Sequence, residues 1–136
     1  MAGGVTVAVA GATAALNLVG VLYETGRQGF QAVQVKGAEN VAVAAKAQGV
    51  ERVVHVSAIG ADPQSPSKYA RTKAEGEAAV RAAFPGAVVL RPSVIFGPGD
   101  GFFNRFAGQS RLGPILPIIG GQTRFQPVYV EDVALA

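Results

Sequence analysis

A chain of 136 residues is one domain's worth of sequence, long enough to bury a core, and 49% hydrophobic against 15% charged residues excludes a disordered tail. The 12 Lys and Arg against 9 Asp and Glu leave a net charge of +3, but the basic residues are scattered singly, so nothing supports nucleic-acid binding. The absence of cysteine excludes a disulfide framework and a thiolate metal site, and the single histidine, His55, excludes an all-histidine cluster.

In chain order, the uncharged stretch from Met1 to Tyr23 comes first. It lacks the leading basic residues of a signal peptide and the Leu/Ile/Phe density of a membrane span, and Asn17 interrupts it, so no transmembrane segment is expected. Leu16, Val19, Val21 and Leu22 read as a strand ending near Tyr23 and covered on both faces. Phe30, Val33, Gly37, Val41 and Ala44 recur at three- and four-residue steps, predicting an amphipathic helix of about five turns over Gln28 to Gln48, with Gly49 at its C-terminal cap. A buried strand follows from Arg52 to Ser57. The polar loop AIGADPQSPS then leads into a helix from Lys68 to Ala83, which FPG stops. AVVLRPS makes a third strand, FGPGDG a loop, Phe102 to Gly108 a short helix, and QTRFQPVYVEDVALA a short strand entering a final helix. Alternating strands and helices predict crossover connections and a parallel sheet: an α/β chain with residues 1–136 forming one partial domain.

In an open parallel sheet, ligands bind beyond the carboxyl ends of the strands, which points to Gly20, Ser57 and the pair Pro92 and Ser93. Tyr69 and Lys73 stand four apart on a predicted helix, hence on one face about one turn apart. A lysine ammonium beside the phenol is expected to pull its pKa down, and Ser57 at a strand end is placed to orient a substrate oxygen toward it. His55, inside VVHVS, reads as a packed, hydrogen-bonded core residue, and Arg105 and Arg124 as solvated surface charges.

The segments RVVHVSAIGADPQSPSKYARTKAEGEAAV, LRPSVIFGPGDGFFNRFA and FQPVYVEDVALA resemble the central and later parts of extended or atypical short-chain dehydrogenase/reductases. Within that family the chain resembles the NAD(P)H-binding branch related to the dehydrogenase-like accessory subunit of respiratory complex I. The resemblance implies a Rossmann-like doubly wound parallel sheet and NAD or NADP as cofactor. It also implies Tyr69 as acid/base, Lys73 holding the nicotinamide ribose, Ser57 orienting a small-molecule substrate, and Pro92, Ser93 and Val94 lining the nicotinamide. The resemblance also carries the expectation that extended relatives often dimerise through the two helices read here at about Gln28 to Gln48 and Lys68 to Ala83.

VAVAGATAALNLVG invites comparison with the family's cofactor loop, G-x-x-G-x-x-G. Counting from Gly11, the other two glycine positions hold Ala14 and Asn17, and Gly11 stands only 46 residues before Ser57, about two crossover units too few. The stretch fits the family's fourth strand instead, with VAVAGA as a helix end and turn and Gly20 as the glycine that lets the cofactor approach. The chain is therefore expected to be an interior fragment without the pyrophosphate loop, binding dinucleotide poorly by itself and self-associating through an exposed edge. Two functions follow: a hydride-transferring oxidoreductase acting on a carbonyl or alcohol, or a non-catalytic NAD(P)H-binding accessory subunit with a respiratory-complex partner. A third reading, an inert truncated product, is compatible with either. The implied location is the cytoplasm or, peripherally, the inner face of a respiratory membrane.

Overall fold

The structure, a computed structural model, describes residues 2–111, 113 and 122–136. They form two compact units, one ending at Arg91 and the other beginning at Pro92.

The first unit opens with α1 (Ala2–Ala8), a turn at Gly11 and β1 (Ala14–Asn17). Gly11 has φ +72°, a left-handed conformation that glycine adopts without a Cβ penalty. VAVAGA is thus helix end and turn, as expected, but the strand lies earlier than the apolar run suggested. Val19, Val21 and Leu22 fall beyond it, because the Asn17 side chain accepts the Val19 N–H at 3.2 Å and turns the chain out of the sheet. A π-helical segment (Gln31–Gly37) runs into α2 (Ala38–Ala47), so the helix predicted in this region changes winding midway. Gly49, φ +69°, closes it. Then follow β2 (Arg52–Val56), α3 (Lys68–Ala83) and β3 (Val88–Leu90). The α3 boundaries are those the sequence predicts: Ser67 caps the start by accepting the Ala70 N–H, and the chain leaves the helix at Phe84.

The three strands pair in parallel in the order β1-β2-β3, with Leu16 opposite Val54 and Val54 opposite Val88. One face of this sheet carries the core: Ala15 and Val53 meet Ala38, Ala42, Ala45 and Val80 from the helices. The other face is open within this unit, with Leu16 64% exposed, so the expectation of a strand covered on both faces is not met there. The buried helix stripe also differs from the predicted one. Gln34, Ala38, Ala42 and Ala45 face inward, while Val33 and Val41 are only half-buried. Small residues are required on that stripe because the helices approach closely: a Cβ on Gly76 of α3 would collide with the Gln34 backbone carbonyl.

The second unit holds a two-stranded parallel sheet of β4 (Ile95–Phe96) and β5 (Val128–Tyr129), with Ile95 opposite Val128. It also contains α4 (Phe103–Ser110) and α5 (Val130–Leu135). Asp100 caps α4 by accepting the N–H groups of Phe102 and Phe103 at 2.9 and 2.6 Å. Phe102 packs edge-on or tilted against Phe103, Phe106 and Phe125. The sequence reading assigns Phe96 to the FGPGDG loop and Ile95 to no element. Two residues followed by glycine and proline carry no strand period, and only pairing with Val128 and Tyr129 makes them one.

Candidate functional site

Lys73 is the organising side chain. It sits on the inner face of α3, 5% exposed, and its ammonium donates to the Val56 carbonyl at 2.9 Å, at the carboxyl end of β2. Burial pulls its pKa below the ordinary lysine value, and the Glu77 carboxylate one turn further on opposes that shift. A Cβ on Gly20 would sit 4.0 Å from the Lys73 Nζ, so the glycine beyond β1 borders the ammonium with no side chain of its own. Gly20 also lines a shallow cleft of about 310 Å³ with Val21, Leu22, Tyr23, Thr25 and Gln28. The strand-end glycine and the lysine thus lie side by side.

Tyr69 is half-buried one turn before Lys73, its ring edge-on to Phe30 with centroids 5.8 Å apart. Burial raises its phenol pKa above 10, opposite to the lowering expected from Lys73. Desolvation of the phenolate is the cause: Tyr69 rests as a protonated phenol, a proton donor. Ser57 is buried, with its N–H donating to the Leu90 carbonyl at 2.7 Å. Its hydroxyl is enclosed and makes no hydrogen bond of ordinary geometry, but it lies near enough to Glu77 to help hold that carboxyl low. It shares its strand face with Val53 and His55, the covered face. Pro92, Ser93 and Val94 open the second unit, all half-buried, with the Val94 carbonyl accepting the Val128 N–H at 3.0 Å.

Four further polar residues, Glu77, Arg91, Arg81 and Gln34, escaped the sequence reading. Glu77, 1% exposed, is gripped by Arg91 through two hydrogen bonds of 2.8 and 2.7 Å and by Arg81 at 3.2 Å. Burial alone would raise its pKa, but the hydrogen bonds from Arg91 and Arg81, with the Ser57 hydroxyl close by, outweigh it and hold the carboxyl below its ordinary value. The fourth is Gln34, buried among alanines; a lone amide on an apolar stripe was the available signal. Arg105 and Arg124 are exposed, as expected.

His55 is the packed core residue the sequence implied. It is 1% exposed, with Asn17 Nδ2 donating to its Nδ1 at 3.1 Å, which calls for the Nε2–H tautomer. Burial, and then the Lys73 charge, lowers its pKa to about 4. A folded-state pKa below the unfolded value of 6.5 means that the unfolded chain binds the extra proton. The neutral histidine therefore contributes stability above pH 6.5, and that contribution is lost as pH falls toward 4. Over the full window it amounts to the order of 3 kcal/mol. Between pH 6.5 and 5, where carboxylates contribute little, melting temperatures are expected to fall with pH in the parent chain and to hold level in His55→Asn. Equal slopes in both would refute the assignment.

Among known proteins, the family described as the RmlD substrate binding domain matches residues 13–136. NADH dehydrogenase (ubiquinone) 1 alpha subcomplex subunit 9, mitochondrial, of Mus musculus is 45% identical over 120 residues, covering 88% of this chain and 32% of that protein. Ceramide reductase of Caulobacter vibrioides is 39% identical over 128 residues, covering 91% of this chain and 39% of that protein. A solved dTDP-4-dehydrorhamnose reductase from Bacillus anthracis, in complex with NADP, superimposes with a TM-score of 0.80 at 18% identity. That superposition takes in 99% of this chain and 55% of the reductase. The fold is therefore that of a Rossmann-like α/β domain, and the chain spans about a third of the length of the curated relatives it matches.

Proposed function

Because the chain belongs to the RmlD substrate-binding-domain family, within the extended and atypical short-chain dehydrogenase/reductases, we propose that it supplies the nicotinamide side of an NAD(P)-dependent oxidoreductase site. The observation that carries this reading is the buried Lys73 ammonium, fixed at the end of β2 by the Val56 carbonyl and bordered by Gly20, with Tyr69 one turn away on the same helix. The residues fit a nicotinamide nucleotide. Lys73 has three N–H donors and uses one on Val56, leaving others for ribose hydroxyls, and Gly20 removes the side chain that would crowd them. When bound, the cofactor supplies or accepts a hydride.

Tyr69, protonated at neutral pH, holds the proton that a reduced carbonyl oxygen takes up, and returns to the phenol from solvent. Pro92, Ser93 and Val94 are proposed as nicotinamide-lining residues on the family resemblance alone. Ser57 is proposed to keep the substrate side of β2 in register through its backbone bond to Leu90, the role its enclosed hydroxyl supports better than direct contact with substrate. NADH and NADPH are titrated against the full-length protein and against Lys73→Met. We expect Lys73→Met to lose roughly tenfold or more in affinity, the worth of one or two hydrogen bonds to a charged donor. Unchanged affinity would remove Lys73 from the site.

The 45% identity to a complex I subunit favours a second reading, in which NAD(P)H is a structural ligand and the domain serves as an accessory subunit peripheral to a respiratory membrane. Among the described residues no helix is long and apolar enough to cross a membrane. A protein that binds NAD(P)H, reduces no carbonyl in a broad panel and co-sediments with the respiratory complex would decide for it. Produced alone, the 136-residue chain is also proposed to pair with a second copy along the free edge of β1. No strand pairs with that edge among the described residues, and Leu16, Leu18 and Val19 are exposed beside it. Sedimentation at rising concentration would show dimers; a monomer throughout would dismiss the edge pairing.

A further inference from the structure

The chain between β1 and the π-helical segment forms the wall of the Gly20 cleft, and it is tied to the rest of the unit at two places. One tie is at the surface: the Glu24 carboxylate accepts from Lys68 at 2.8 and 3.0 Å and from the Phe30 N–H at 2.8 Å. Those side chains are 39% and 55% exposed, so solvent screens the pair and it holds the wall weakly. The other tie is internal. Gln34 is 2% exposed; its Nε2 donates to the Val21 carbonyl at 2.8 Å, and its Oε1 accepts from the Thr72 hydroxyl at 2.8 Å. Thr72 stands on α3 between Tyr69 and Lys73. One buried amide thus joins the cleft wall to the helix that carries the proposed acid and the proposed ribose ligand.

We propose that Gln34 is a positioning residue that sets the spacing between the Gly20–Val21 wall and the Tyr69–Lys73 helix. The backbone is built to present it. Gln34 lies in the π-helical segment Gln31–Gly37, and π turns are rare, widen the helix and recur at functional sites. Gly76 of α3 packs directly on the Gln34 carbonyl, with the Gln34 carbonyl carbon 3.2 Å from where a Cβ would stand. The amide is therefore held at both its backbone and its side chain, and any movement of Val21 or Thr72 leaves a buried polar atom unpaired. The inference rests on the nicotinamide-side reading of the cleft, but its structural half is separately measurable.

Gln34→Met keeps the volume and removes both hydrogen bonds; Thr72→Val removes one; Thr72→Ser restores the hydroxyl. In the full-length protein, Gln34→Met is expected to speed amide hydrogen exchange at residues 21–23 while α3 keeps its protection, and to weaken NADH or NADPH binding about tenfold. Thr72→Val should move both readouts in the same direction, and Thr72→Ser should return them. Should Gln34→Met fail to fold, the Thr72 pair decides alone. Unchanged exchange at residues 21–23 in the variants that fold overturns the proposal. So does wild-type cofactor affinity in a variant whose wall exchanges faster. If the unmutated protein binds neither nucleotide, the site reading fails, and the exchange measurement still decides whether Gln34 holds the wall.

Discussion

Turnover in the full-length protein is expected to fall by about 10²–10⁴-fold in Tyr69→Phe, the usual worth of a positioned general acid, with NAD(P)H affinity unchanged. The substitution deletes one hydroxyl and keeps the ring, so the edge-on contact with Phe30 survives and α3 keeps its place. Lys73, with its bond to Val56, is untouched. Because burial raises the phenol above its ordinary pKa of 10, the donor is protonated across the neutral range. Carbonyl reduction should accordingly show no loss of rate from Tyr69 between pH 6 and 9. Steady-state assays with a carbonyl panel, beside cofactor titration, provide the check. Undiminished turnover in Tyr69→Phe would take the acid role from this residue, and lost cofactor binding would show that the ring or its packing matters instead.

The second large effect is on stability. Gly76→Ala should destabilise the first unit by about 2–3 kcal/mol, although alanine is the better helix former by about 1 kcal/mol. The new methyl would meet the Gln34 carbonyl, which is backbone, so no rotamer change relieves the overlap and the helices must separate. Separation loosens the alanine stripe at Ala38 and Ala42, both at most 1% exposed. Gly108→Ala in α4 is the contrasting case: open space surrounds that position, and the propensity gain should appear as a small stabilisation. Chemical denaturation of both variants measures the difference. A stabilised Gly76→Ala would mean that the two helices do not approach as closely as described.

The ion pair of Glu77 with Arg91 has an asymmetric consequence. Arg91 is about half exposed and can return to water when Glu77 is replaced, but Glu77 is enclosed and cannot. Arg91→Met should therefore destabilise the protein more than Glu77→Gln does, and the double replacement should recover part of the loss. Denaturation midpoints of the three variants give the order, and the reverse order would place the carboxylate in contact with solvent.

What the residues determined by themselves were features whose causes lie within a few positions. The limits of α3 follow from a serine cap before Lys68 and a break at Phe84, and the closure after α2 follows from a glycine able to take φ +69°. The four-residue spacing of Tyr69 and Lys73 places them on one helix face once the helix exists. The assignment of VAVAGA to a helix end and turn also came from sequence, from two missing glycines, the 46 residues between Gly11 and Ser57 and the family resemblance. Tertiary structure decided what depends on a partner far along the chain. The first strand ends at Asn17 rather than Tyr23 because the Asn17 amide meets both His55 and the Val19 N–H. The buried stripe is Gln34 and alanines rather than valines because Gly76 comes within contact of it, and two residues at Ile95 become a strand only against Val128. The pKa of Tyr69 rose where a neighbouring lysine suggested a fall, because spacing reports which charges are near, while only packing reports how much water is left.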